Sequence, residues 1–551
     1  MNRQNLFSQF NLAPDGWLWQ SLLAFVSALL LLLAFPGVSL TYLGWIALAP
    51  LLYVVTRGIS LRRGFWLGWL VGLVFTFFAE NWITHSMTRY GGLPAIAAYG
   101  VAFLFASVLA LFPALFGLVV TRLVNVFGWP GLTLAPVVWA ATEFLRPFVT
   151  GVTWNALGIS QVEHFRIAQL ARFGGVYLIS AELVAASALL VLLPKFKERA
   201  VGRAAALLVF GAAGVFLLAD AQRDSSPATP TQFTAIGVQP NLSPDTDQSS
   251  EAAARDLENN LKLTREALAR APRQTAELVI WAESPLVLFY ETEAAVRDKL
   301  NQFASETGAH LVVNTVTRDD WRYTNSVHVI SPESGVNLRR YDKMRLVPFG
   351  EYVPWRPLLG WFVPPMIGDF TPGREAVVNT LRLTAKRETV ITPEASKTGI
   401  ERTTNFVRLG SFICYEAAYP DLVRQFVRNG ATVLINVSND AWFGNTAGAQ
   451  QHLQHARMRA IENNRDLLRV TNSGISALIA ADGQVVDALP SFTAAAQVWQ
   501  AQSRRPQTFY TQRGDWFAIG CVLVSLLALG LSYLRNVFTP QTSSQDTAKS
   551  R

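Results

Sequence analysis

Apolar positions crowd the first 222 residues into long runs with few charges, at 17–36, 39–56, 65–87, 93–123, 130–149, 175–194 and 204–221. One more run lies near the C-terminus, at 516–534. Their lengths suit the roughly 20 residues that a helix needs to cross the hydrocarbon core of a bilayer. Helices are the expected spanning form, because backbone groups in lipid must pair within their own segment. The pattern predicts an α-helical membrane bundle of about eight spans, seven over 1–222 and one at 516–534. The first run is too long for the apolar part of a signal peptide and is weakly followed by a small-residue cleavage site, so it reads as an uncleaved anchor.

The periodicity changes between these blocks. At Asp224 a Ser/Pro/Thr-rich stretch opens, continuing as SPATPTQ, and 223–232 reads as a linker. From 233 to 505, short β-rich runs alternate with helical stretches near 249–270, 291–307, 420–429 and 448–465. The runs are FTAIGVQP, AELVIWAE, HLVVNTVT, LGSFICYE, ATVLINVSN and LLRVTNSG. Such alternation predicts an α/β outer domain with helices covering its sheets. Residues 540–551 read as a disordered tail.

Composition supports the membrane reading. The chain is 51% hydrophobic and 16% charged, against roughly 25% charged residues in an average soluble protein. Its 16 tryptophans and 34 phenylalanines suit interfacial anchoring. The net charge of +8 points to nucleic acid or to anionic lipid. With no zinc-finger or RNA-binding signature, the apolar content favours lipid, and no nucleic-acid partner is expected. Arg57, Arg62 and Arg63, then Lys195, Lys197, Arg199 and Arg203, and finally Arg535 follow alternate runs. By the positive-inside rule these loops and both termini are cytoplasmic. That puts 233–505 on the far side of an inner membrane, in a bacterial periplasm. Two cysteines exclude a disulfide framework. Cys521 sits inside an apolar run as a small hydrophobe. No CxxC or HExxH spacing occurs, and no metal or cofactor is expected.

Three segments of the outer domain carry a reactive side chain at a suggestive place. LVIWAESP is an apolar run ending at Glu283, LRRYDKMRLVPFGEYVP carries Lys343 and Glu351, and LGSFICYE ends at Cys414. Sites in α/β folds gather beyond the carboxyl ends of strands. Meeting there, the three would supply a base, a cation and a nucleophile. A thiol is activated by losing its proton, a carboxylate takes that proton if burial raises its pKa, and an ammonium stabilises an oxyanion. The backbone N–H of Tyr415 is a second oxyanion donor. Taken singly, each has a plainer reading: Cys414 as packing, Glu283 as a turn or cap residue, Lys343 as a partner of Asp342 or a solvated charge.

In this order and in these local signatures, Glu, Lys and Cys resemble the nitrilase (carbon–nitrogen hydrolase) superfamily over about 233–500. That resemblance implies an αββα sandwich, with Glu283 as general base, Lys343 as oxyanion stabiliser, Cys414 as nucleophile and Glu351 in support. The whole chain is similar to the bacterial apolipoprotein N-acyltransferase family. YDKMRLVPFGEYVP, ICYEAAYP and NVSNDAWFG carry that likeness. So does WAATEFLRPFVTGVTWNALGISQ, which contains Glu143, Arg146 and Trp154 and reads Gly151-Val-Thr-Trp154 where the family usually has Gly-Phe-Pro-Trp.

This likeness implies a two-step acyl transfer. Cys414 takes an acyl chain from a membrane phospholipid, expected at sn-1 of phosphatidylethanolamine. The resulting thioester passes it to the α-amine of a diacylglyceryl-cysteine apolipoprotein. Glu416 and Tyr415 match residues that the family uses around its site. Glu416 is given a supporting role near Cys414 or Lys343, against the plainer role of a helix-start carboxylate. The loop after Lys343, with Trp355, Trp361 and Phe362, reads either as a lid dipping into the interface or as a packed insertion. Trp442 and Phe443 read as a further part of the acyl entrance or as core. Glu80, Glu143 and Arg146 are intramembrane charges, the last two spaced for an ion pair on one helix face. A monomer is expected. The alternatives are a membrane-tethered amidase or hydrolase with the same triad, and a non-enzymatic scaffold or transporter, which the intact triad disfavours.

Overall fold

A computed structural model describes residues 16–221, 230–243, 249–272, 275–283, 290–333, 338–353, 356–359, 369–383 and 406–538. Most of the predicted linker, the tail, and Trp355, Trp361 and Phe362 of the proposed lid lie outside the described residues.

The membrane half contains α1 (Trp17–Ala34), α2 (Ala49–Val55), α3 (Leu61–Ala79), α4 (Trp82–Arg89), α5 (Ala95–Leu109), α6 (Leu111–Phe127), α7 (Ala135–Thr150), α8 (Val176–Leu192) and α9 (Arg199–Ala221). Helices therefore occur at every predicted run, but several runs are subdivided. The run at 39–56 is a five-residue 3₁₀ turn, Thr41–Trp45, followed by the short α2, which carries Pro50 in its first turn. The run at 65–87 breaks at Glu80 and Asn81 between α3 and α4. The run at 93–123 breaks at Ala110, beside Leu109, whose carbonyl Pro113 has no N–H to reach. By length and apolarity alone, five elements among the described residues suffice to cross a membrane: Trp17–Ala34, Leu61–Ala79, Ala95–Phe127, Val176–Lys195 and Trp516–Arg535.

Gly64, Gly68 and Gly72 recur every fourth residue on α3, which places them on one face. A Cβ on Gly68 would lie 2.2 Å from the Pro113 carbonyl oxygen. The stripe thus lets α3 meet the α5–α6 element backbone to backbone, as small residues do in membrane bundles.

The outer domain has two six-stranded sheets. Its strands are β1 (Thr231–Gln239), β2 (Leu278–Trp281), β3 (His310–Asp319), β4 (Arg322–Ile330), β5 (Tyr341–Asp342), β6 (Val378–Arg382), β7 (Phe406–Ile413), β8 (Val433–Ser438), β9 (Leu467–Thr471), β10 (Ala477–Ile479), β11 (Val485–Val486) and β12 (Ala495–Ser503). The spatial orders are β12-β1-β2-β3-β4-β5 and β11-β10-β9-β8-β7-β6. Strand alternation divides the side chains between two faces. Leu278 and Ile280 join Phe233, Leu409 and Phe412 in the core that includes the space between the sheets. Val279 and Trp281 face outward, against Leu257 and Leu261 of α10 (Ser250–Arg270) and Leu300 and Phe303 of α11 (Ala294–Thr307). The other sheet is covered by α12 (Pro420–Arg428) and α13 (Ala447–Asn463), which gives the αββα layering. The last helix, α14, is Trp516–Phe538 and holds the buried Cys521.

Strands β1, β2 and β3 run parallel, as do β7, β8 and β9. The rim where they end meets the membrane half. Tyr419 Oη donates to Gly151 O at 2.5 Å, and Trp154 Nε1 and Trp82 Nε1 both donate to Gln451 Oε1, at 2.8 and 3.0 Å. Ser86 Oγ donates to Trp442 O at 2.7 Å; away from that rim, Val176 N donates to Glu462 at the C-terminal end of α13, at 3.1 Å.

Candidate active site

Each of the three proposed catalytic side chains follows the end of a strand. Glu283 lies two residues beyond β2, Lys343 directly follows β5, and Cys414 directly follows β7. The structure brings them together. Lys343 Nζ lies 2.8 Å from Glu351 Oε1 and 3.7 Å from Glu283 Oε1. The Cys414 thiol lies within electrostatic reach of both Glu283 and Lys343. Lys343 is only 2% exposed, so it is neither a solvated charge nor a simple partner of Asp342, which pairs with Arg340 instead.

Burial pushes the Glu283 carboxyl above its ordinary 4.5, and Glu351 adds to the rise while Lys343 opposes it. The Lys343 ammonium is penalised by burial, but Glu351, Glu283 and Cys414 outweigh that and raise its pKa overall. The Cys414 thiol is pushed up to about 12, by burial first and then by the Glu283 charge. At rest the site therefore holds a thiol and an ammonium.

Backbone conformation presents the sulfur. Cys414 has φ +49°, a left-handed value that costs an ordinary residue about 1–2 kcal/mol. It opens a 3₁₀ turn, Cys414–Ala418, immediately after β7. On the other side Gly373 N donates to Lys343 O at 2.8 Å. A Cβ on Gly373 would stand 2.1 Å from Asp342 O, so only glycine permits this close pass.

Glu416 couples the two halves of the site. It is fully buried and accepts from Ile413 N at 2.8 Å, Met344 N at 2.7 Å, Arg345 N at 2.9 Å and Tyr341 Oη at 2.8 Å. One carboxylate thus ties the residue before Cys414 to the two residues after Lys343. Glu416→Ala would strand three backbone N–H groups, each worth about 1–3 kcal/mol when buried and unpaired. We expect a loss of about 3–5 kcal/mol, read as a clearly lowered melting temperature in detergent; unchanged melting would contradict this coupling.

Glu351 is held by Val347 N, which donates to its Oε2 at 2.9 Å. Tyr415 stacks on Trp154 of the membrane half, with ring centroids 5.7 Å apart and an 18° interplanar angle. Trp442 is 43% exposed, with its ring edge-on to Tyr90. Phe443 is buried against Trp82, Trp154 and His452, as core. Glu143 and Arg146 do not bond to each other. Glu143 Oε1 accepts from Leu157 N at 2.7 Å, and Arg146 Nη2 donates to Trp154 O at 2.6 Å, so both brace the 154–157 segment.

Several site residues carry little mark in the sequence. Asn325 Nδ2 donates to Glu283 Oε1 and to Glu351 Oε1, both at 2.9 Å. Asn436, Asp440, His452 and Arg469 form a buried network beneath Cys414. Asn436 and Asp440 lie in the NVSNDAWFG motif, but His452 and Arg469 sit in an ordinary-looking helix and strand. A cleft of about 650 Å³ opens beside the site, between Phe144, Phe148 and Tyr177 on one wall and Met344, Tyr352 and Tyr419 on the other.

Comparison with known proteins places these features in context. Residues 27–190 match a family described as the apolipoprotein N-acyltransferase N-terminal domain, and residues 238–505 match the carbon–nitrogen hydrolase family. A Geobacter metallireducens protein named apolipoprotein N-acyltransferase is 31% identical, covering 93% of this chain and 95% of its own. One of the same name from Chromobacterium violaceum is 32% identical, covering 92% of each chain. The solved structure of Saccharomyces cerevisiae Nit3, described as a member of branch 10 of the nitrilase superfamily, aligns with 52% of this chain and 94% of its own, at 14% identity and a TM-score of 0.36.

Proposed function

The chain belongs to the apolipoprotein N-acyltransferase family, and from that membership we propose that Cys414, Glu283 and Lys343 carry an acyl chain from a membrane phospholipid to the N-terminal amine of a lipoprotein. The observation that carries the assignment is the convergence of three strand ends, which sets Lys343 3.7 Å from Glu283 and the Cys414 thiol within electrostatic reach of both.

In the first half-reaction the Glu283 carboxylate takes the thiol proton as Sγ attacks the ester carbonyl. Negative charge moves to the carbonyl oxygen, facing the Lys343 ammonium and the Tyr415 N–H. The C–O bond breaks, and the departing glycerol oxygen receives the proton from Glu283. A thioester remains and a lysophospholipid leaves. In the second, the neutral α-amine of a diacylglyceryl-cysteine attacks the thioester. Glu283 takes a proton from nitrogen and returns it to Sγ as the C–S bond breaks. The product is an amide. The cleft beside Met344 and Tyr419 is the proposed approach for the lipid donor, and sn-1 of phosphatidylethanolamine is the proposed ester.

A thiol at about 12 opposite a carboxylate does not ionise at rest. Proton transfer therefore accompanies attack, as general-base catalysis. Two pH dependences follow. The rate of the first half-reaction falls as pH drops through the raised Glu283 pKa, so its acidic limb has a midpoint above the ordinary 4.5. Alkylation of Cys414 by iodoacetamide climbs steadily with pH across the neutral range. A plateau below pH about 7, the signature of a preformed thiolate, would contradict general-base activation.

The helix ends that touch the outer domain support an orientation. α4, the segment after α7 and the start of α8 contact it, whereas the basic loops around Arg57–Arg63 and Lys195–Arg203 lie at the opposite helix ends. The proposed topology puts the basic loops and termini in the cytoplasm and the site in the periplasm, in a monomer. The acceptor step is tested by supplying phospholipid with and without a diacylglyceryl-cysteine peptide. Amide and lysophospholipid in equal amounts are expected. Free fatty acid released at the same rate without peptide would mark a hydrolase.

A further inference from the structure

The nucleophile's carbonyl is held from beneath. His452 Nε2 lies 2.9 Å from Cys414 O, and Asn436 Nδ2 is a longer contact at 3.4 Å. A carbonyl oxygen only accepts, so Nε2 carries the proton. The imidazole itself is fixed on all sides. Nδ1 lies 2.9 Å from Asp440 Oδ1 and 3.1 Å from Arg469 Nη2. Arg469 reaches Asp440 Oδ2 at 2.6 Å and also donates to Asn436 Oδ1, and Ser438 Oγ donates to Asp440 Oδ1 at 2.7 Å. Phe443 meets the ring edge-on and Trp154 lies against it, with centroids 5.6 Å away in each case. Asn436, Ser438, Asp440, His452 and Arg469 are all buried. They come from β8, the turn after it, α13 and β9, so the network is anchored in the sheet that carries Cys414.

A peptide unit is planar and trans, with its C=O and the following N–H pointing in opposite directions. Fixing the Cys414 carbonyl therefore fixes the Tyr415 N–H. Hydrogen bonding at the oxygen also polarises the unit and strengthens that N–H as a donor. We propose that His452 is a positioning residue, which aims the Tyr415 N–H at the developing oxyanion through the Cys414–Tyr415 peptide plane. The inference rests on the reading of Cys414 as nucleophile. It accounts for a left-handed φ of +49° at a non-glycine residue, since such a conformation persists where its surroundings over-determine it.

The test compares two reactions of the same sulfur in the full-length protein in detergent micelles. Thioester formation from a labelled phospholipid builds an oxyanion, whereas alkylation by iodoacetamide displaces iodide and builds none. His452→Gln keeps an N–H donor near the position of Nε2. His452→Asn places its donor near Nδ1, out of reach of the carbonyl. Thioester formation in His452→Asn is expected to fall by about 10²-fold, the scale of one lost oxyanion donor. Its alkylation rate stays within about threefold, as expected of a thiol whose own base is untouched. His452→Gln is expected to recover most of the thioester rate. Equal losses in both reactions would overturn the proposal, because His452 would then be holding the thiol or the fold. No loss in His452→Asn would overturn it as well. The Cys414→Ala control separates this from the parent reading: a thioester formed without Cys414 rejects the nucleophile itself, whatever His452 does.

Discussion

Replacing Cys414 by alanine is expected to leave a folded protein that forms no acyl-enzyme and transfers nothing, a loss of about 10⁵-fold or more, as when a covalent catalyst loses its nucleophile. The fold survives because the change removes a single sulfur at the end of β7, while Glu416 still accepts from Ile413, Met344 and Arg345. No other side chain inherits the task. The only other cysteine, Cys521, is buried in α14. Glu283 and Lys343 remain in place, with no sulfur to act on. The check is single-turnover labelling from acyl-labelled phospholipid, alongside a melting curve. A melting point near that of the parent, together with a lost label, is the expected pair of results.

Removing the cation is expected to have the second-largest effect. Lys343→Met fills nearly the same volume but takes the positive charge from between Glu283 and Glu351, whose oxygens lie 3.7 and 2.8 Å from Nζ. Two consequences follow. The oxyanion loses a charged donor, which costs about 10²–10³-fold. The two carboxylates then face each other across the shared Asn325 amide, and like charges at such range do not both stay ionised. Lys343 lowers the Glu283 pKa in the parent. Without it that pKa climbs further, and the base is protonated over a wider range. The acidic limb of the thioester-forming step therefore moves to higher pH in Lys343→Met, on top of a reduced plateau. A reduced plateau with an unmoved limb would mean that Lys343 acts on the oxyanion alone. An unchanged plateau would remove it from the catalytic step.

Much of this arrangement is legible from the chain itself, for a physical reason. Glu283 and Cys414 each close an apolar β-rich run, and the topology of parallel strands gathers such ends at one rim. The helices near 249–270, 420–429 and 448–465 match α10, α12 and α13 closely, because each carries a clear boundary residue. Ser249 caps α10, Pro420 starts α12 and Thr446 caps α13. The membrane runs are harder to divide. An apolar stretch reports burial in lipid and not its own continuity, so composition does not mark the breaks at Glu80 and Ala110 or the split before α2. The Gly64-Gly68-Gly72 stripe does signal close packing, but not which helix it meets.

The supporting residues of the site are less visible. Asn325 is a single polar residue in a strand, and His452 and Arg469 are 17 positions apart on different elements. Their importance comes from long-range pairing, such as His452 with Cys414 O and Arg469 with Asp440. Glu416, like Glu351, is an exception. Its nearness to Cys414 in sequence suggests support, and its bonds to Met344 and Arg345 extend that support to the Lys343 segment.

The central claim is that an acyl group resides on Cys414 between donor and acceptor. The most direct test incubates the purified protein with acyl-labelled phosphatidylethanolamine and no acceptor, followed by peptide mapping and then by addition of a diacylglyceryl-cysteine peptide. The account predicts a hydroxylamine-sensitive label on the peptide containing Cys414, which persists in water and moves to the acceptor amine. Acyl transfer to that amine with no label ever passing through Cys414 would contradict it.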